Sequence, residues 1–85
     1  QNLQLVELAI TDVSPMRGYT LSELELPSET RLLAVGEDAA SLSLPTPDDT
    51  LELGDRLVVL TDFEKLDDVR NLIVGDTSRA AAGGV

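Results

Sequence analysis

At 85 residues the chain has room for one domain, and it sits near the lower size limit at which a domain holds itself together. It contains neither Cys nor His, which excludes disulfide scaffolds, thiol nucleophiles, the common zinc ligand sets and imidazole acid–base chemistry. Sixteen acidic residues against six basic ones give a net charge of −10, a field that repels nucleic-acid backbones and anionic lipid surfaces alike.

Leu3 to Ile10 predicts the first strand, with Val6, Leu8 and Ile10 on one face and Leu3, Leu5 and Ala9 on the other, interrupted by Glu7. Apolar residues on both faces predict a strand covered on both sides, by core or by a second subunit. Thr11 to Gly18 reads as a loop in which Pro15 holds Ser14 extended. Thr20-Leu21-Ser22-Glu23 has the spacing of a capping box, which predicts a short helix of one or two turns ending before Pro27. Leu21 and Leu24 are expected to face the sheet, and Leu26 to close the packing.

Arg31 to Val35 predicts the second strand and Ser41 to Leu44 the third, joined by a turn at Gly36-Glu37-Asp38. Leu42 and Leu44 alternate with serines, as in a strand with one buried face. Pro45-Thr46-Pro47-Asp48-Asp49 is a stiff loop, and Thr50 to Leu53 adds a few paired residues before the Gly54-Asp55 turn. The near-continuous apolar run from Arg56 to Thr61 predicts a last, central strand. A second helix should start at Thr61 or Asp62 and run to about Ile73, with Thr61 and Glu64 offering another capping box. Phe63, Leu66, Val69 and Leu72 or Ile73 form its apolar stripe, opposite Glu64, Lys65, Asp67, Asp68 and Arg70. Gly75 is a natural stop. Residues 1–74 are thus expected to form the domain and residues 75–85, poor in bulky apolar side chains, a disordered tail.

The expected class is α+β, a small β-α-β-β-(β)-β-α sandwich with a mainly antiparallel sheet and helices on one side. It lacks any Gly-rich strand–turn–helix phosphate fingerprint. The longest apolar runs are far short of the ~20 residues that span a bilayer, so direct membrane insertion is not expected. Three acidic clusters (Glu37-Asp38, Asp48-Asp49-Glu52-Asp55 and Asp62-Glu64-Asp67-Asp68) invite a metal reading, but they lack the alternation of a calcium loop and read better as solvated surface. Ser14, Ser41 and Ser43 have no evident base, so the expectation is a non-enzyme without catalytic residues, cofactor or metal. Abundant Asp and Glu beside a single lysine, Lys65, is the composition of a cytoplasm rich in salt and points to a halophilic source. A start at Gln1 suggests a piece of a longer protein.

Two segments carry a resemblance. Ser14-Pro15, Gly18, Thr20-Leu21, Leu24 and Leu26-Pro27 lead into Leu32 to Val35, and Thr50-Leu51, Gly54-Asp55, Leu57 and Val58 to Leu60 lead into the terminal helix. In this order and separation they resemble the C-terminal lobe of RCK domains, the TrkA-C domain, over about residues 3 to 73. The resemblance implies a cytoplasmic homodimer that senses a small effector and passes its state to a membrane-embedded cation channel or transporter, chiefly for potassium. In several such domains the effector is cyclic di-AMP, held in a cleft whose positions here would be Leu26, Thr30, Arg31, Leu33, Pro45 and Pro47. The Asn-plus-apolar pair that those binders carry before the second strand is missing. Arg31 suits bidentate contact with a phosphate, though a surface or dimer salt bridge is the preferred reading of it. The alternative from another class is the effector-binding half of a transcription regulator, which a basic helix-turn-helix segment upstream would reveal.

Overall fold

The computed structural model describes residues 2–76. Three strands, β1 (Leu3–Ala9), β2 (Thr30–Gly36) and β3 (Arg56–Asp62), form an antiparallel sheet in the order β1-β3-β2. The central place of β3 follows from its apolar run: Leu57 and Val59 are fully buried on one face, and Val58 and Leu60 half-buried on the other. The register sets Leu8 against Leu57 and Val6 against Val59 on one side. On the other side it sets Leu32 against Val59 and Val35 against Leu57. These residues, with Ile10, Leu51, Val69 and Ile73, make the core. Between Leu32 and Ala34 the register shifts, so Leu33 is an extra residue in β2. That bulge lets Leu32 and Val35, three apart, reach the same face.

Two short helical elements cover this face. A single 3-10 turn (Leu21–Glu23) brings Leu21, Leu24 and Leu26 against the core. The helix α1 (Leu66–Ile73), entered through a 3-10 turn at Phe63–Lys65, packs on β1 and β3 and buries Val69 and Ile73 completely. The α+β class and the central last strand are as the sequence leads one to expect. No helix among the described residues is long and apolar enough to cross a membrane.

Four local features differ from the sequence reading. The first helix does not extend past one turn. Leu24 is already extended at φ −80° and ψ 117°, and the Leu21 and Ser22 amides, which no helix could satisfy internally, donate to the carbonyls of Asp49 and Pro47. The strand expected at Ser41–Leu44 contracts to one bridge between Val35 and Ser43. The turn before it is so tight that a Cβ on Gly36 would lie 2.6 Å from the Ser41 carbonyl oxygen, and Pro45 ends the pairing; Leu44 is left 81% exposed. The second helical element is capped by Asp62, whose side chain accepts the Glu64 amide at 2.9 Å. The Thr61 hydroxyl instead meets that of Thr30 at 2.7 Å. Phe63, assigned to the apolar stripe, is 57% exposed, because the tighter 3-10 winding of residues 63–65 takes it out of phase with Val69 and Ile73.

The end of α1 is tied to the first loop. Thr11 and Ser14 both donate their hydroxyls to the Val74 carbonyl, at 2.6 and 3.2 Å, satisfying an acceptor that the helix leaves open. Ser14, from the Ser-Pro pair, is buried for this purpose. Gly75 then turns the chain at φ 89°, where a Cβ would sit 2.3 Å from the Val13 carbonyl oxygen. Only glycine fits there. Of the expected tail, residues 77–85 lie outside the described residues.

Candidate functional site

Two loops far apart in sequence are laced together by backbone hydrogen bonds. Gly18 donates to Leu51 at 2.7 Å, Leu51 to Tyr19 at 2.8 Å, Leu21 to Asp49 at 2.9 Å and Ser22 to Pro47 at 3.0 Å. The 3-10 turn is therefore held against the Pro-Thr-Pro loop. Each side is also braced locally. The Thr20 amide and hydroxyl both donate to Glu23 Oε1 at 3.0 Å, and the Asp49 carboxylate accepts the Thr46 amide at 3.0 Å. The Thr20 amide, and after it the Thr20 hydroxyl, hold the Glu23 carboxyl below its ordinary value by stabilising the charged form.

Between these loops runs an open groove of about 270 Å³, lined by Leu21, Leu24, Leu26, Leu32, Pro45 and Pro47 with Ser22 and Thr46 at its polar margin. Its walls are apolar, and the two proline rings are fixed by their own geometry. Such a surface suits a flat, apolar group, with the Ser22 and Thr46 hydroxyls at its margin. It offers no nucleophile with a base beside it.

The six positions that the resemblance assigns to a ligand divide into two sets. Leu26, Pro45 and Pro47 meet in this groove. Thr30 and Arg31 lie on a separate depression of about 260 Å³ with Leu3, Glu29 and Leu60. Thr30 is engaged with Thr61 and donates to the Ser28 carbonyl at 3.2 Å, while Arg31 is exposed and makes no ion pair among the described residues. Leu33 is the bulged residue and is 38% exposed. Leu21, Leu24 and Leu32 line the groove without having been assigned to it. Their apolar character is plain in the sequence, but the lacing of residues 18–22 to residues 47–51 that turns them toward Pro45 and Pro47 has no local signal.

A third depression, of about 320 Å³, carries Glu37, Asp49, Glu52 and Asp55. Several of the neighbouring carboxylates have structural work: Asp55 accepts the Glu52 amide at 2.8 Å and Asp38 the Ala40 amide at 2.9 Å. Among the described residues, no three His, Cys, Asp or Glu side chains are grouped to hold a metal ion. Comparison with curated proteins gives no match. Comparison with protein families gives one: the family model described as TrkA-C domain matches residues 5–74.

Proposed function

This chain belongs to the TrkA-C family, whose members are regulatory domains of potassium transport proteins, and from that premise we propose that it is the effector-sensing and pairing module of a potassium or other cation transport system. It acts by binding rather than by catalysis, a reading supported by the absence of His and Cys and by a groove without a reactive pair. It works at the inner face of the membrane through a transporter partner.

The observation that carries the effector reading is the groove itself. Three of the six positions that the family resemblance gives to cyclic di-AMP converge there, joined by three further leucines. An adenine stacked between Leu26 and the Pro45 and Pro47 rings would bury its faces and leave its edge to Ser22 and Thr46. Arg31 projects from the sheet's other face, beside Leu60. Base and phosphate contacts are therefore not combined on one side of a single copy, which is why this reading includes a homodimer: two copies can supply both.

Calorimetric titration with cyclic di-AMP in potassium chloride, with light scattering to fix the number of copies, tests it. The expected result is saturable binding of one nucleotide per two chains, weakened about tenfold or more by Arg31→Ala, which removes a charge-assisted contact without disturbing any internal one. Leu26→Ala should weaken it as well. Pairing without nucleotide binding would remove this effector and leave the module. Single copies that bind nothing would overturn the reading.

A further inference from the structure

The loop that follows β1 is held at both ends, and the two ends belong to different parts of the molecule. At one end the Thr11 and Ser14 hydroxyls donate to the Val74 carbonyl, where α1 closes. Gly75 lies so close that a Cβ there would overlap the Val13 carbonyl oxygen. At the other end Gly18 donates to the Leu51 carbonyl at 2.7 Å, and the Tyr19 carbonyl accepts the Leu51 amide at 2.8 Å. The next bonds along the chain, from the Leu21 and Ser22 amides, hold the two walls of the groove together.

Little slack lies between these anchors. The Ser14 amide donates to the Thr11 carbonyl, that of Arg17 to Ser14 and that of Tyr19 to Met16, at 3.1–3.2 Å. Residues 11–19 are therefore a row of turns rather than an open connection. The Ser14 hydroxyl that reaches Val74 also accepts the Thr11 amide at 2.7 Å, so the hold on α1 is part of the winding. Ser14 is buried and Met16 packs against the core. Releasing one end while the other stays fixed would break bonds within the winding and strand part-buried polar groups.

We propose that residues 11–19 are a strap coupling the groove to the end of α1. A group seated between Leu26 and the two prolines bridges the groove's walls, favours the laced arrangement and so tightens the hold on Val74. The coupling is reciprocal: whatever grips or pulls the end of α1 changes affinity in the groove by the same factor. The inference rests on the effector reading above and adds where its signal leaves the domain.

Native-state hydrogen exchange of the full chain tests this. The Val74, Gly18, Leu21 and Leu51 amides should open as one unit, more readily than Val59 in the central strand, which reports unfolding of the sheet. In Thr11→Val all four should exchange about tenfold faster. Groove-side amides that keep their wild-type rates while Val74 quickens would reveal two independent anchors and overturn the strap. Amides that open only together with Val59 would overturn it too. Glu23→Gln approaches from the groove's end and changes only an exposed side chain, so it serves if Thr11→Val does not fold. It should quicken Val74, and an unchanged Val74 counts against the proposal. Saturating cyclic di-AMP should slow exchange at Val74 and Gly75. Binding with slowing confined to the groove overturns the coupling, whereas failure to bind removes the nucleotide alone, and the variants still decide the strap.

Discussion

Glu23 shows how much one carboxylate can do at the surface. It lies fully exposed, yet two bonds from Thr20 hold its carboxyl below the ordinary value of 4.5. A folded value below the unfolded one means that its contribution to stability is full above the ordinary range. That contribution is lost as the pH falls through the lower folded value. Urea unfolding of wild type and Glu23→Gln should therefore show its largest difference at neutral pH, closing on acidification. A gap independent of pH would show that the charge is not what holds the turn. Because the same turn carries Leu21 and Leu24, acid that loosens it should also weaken binding in the groove.

At the scale of elements, β2 and β3 are joined by more than their backbone ladder. Thr30 and Thr61 face each other in the register, and their hydroxyls lie 2.7 Å apart, with Thr61 wholly buried. Removing one hydroxyl leaves a buried polar group short of its best partner, whereas removing both removes the demand. Thr30→Val and Thr61→Val should each cost about 1 kcal/mol, and the double variant should cost less than their sum by a similar amount. Additive losses in urea unfolding would mean that the two hydroxyls do not interact. This pair also marks where sequence reasoning stops. The alternation in Leu3–Ile10 and the run in Arg56–Thr61 made the strands and the central position of β3 legible, because period and burial are local properties. Thr61 as a helix cap was equally well supported by spacing, and only the strand order, which brings Thr30 beside it, decides against it. The groove was half legible for the same reason: Leu26, Pro45 and Pro47 follow from the family pattern, while the ladder that gathers Leu21, Leu24 and Leu32 around them joins segments some thirty residues apart.

For the molecule as a whole, the two sheet faces answer to different demands. Leu57 is fully buried among core residues, and Leu5 is 63% exposed on the opposite face. Leu57→Ala should lower the stability of the single copy by about 2–5 kcal/mol, and Leu5→Ala by no more than about 0.5 kcal/mol, when unfolding is followed at dilution. Equal losses would place both leucines in one intramolecular core. The extra residue in β2 sets where this chain can absorb the loss of a codon. Deleting Leu33 would leave Leu32 against Val59 and Ala34 against Val58 as direct neighbours, with every later side chain on its present face. Deleting any other single residue within β1 or β3 would turn the rest of that strand over. Among descendants of this sequence, length variation inside the sheet should therefore collect at Leu33 in β2, while β1 and β3 keep their count.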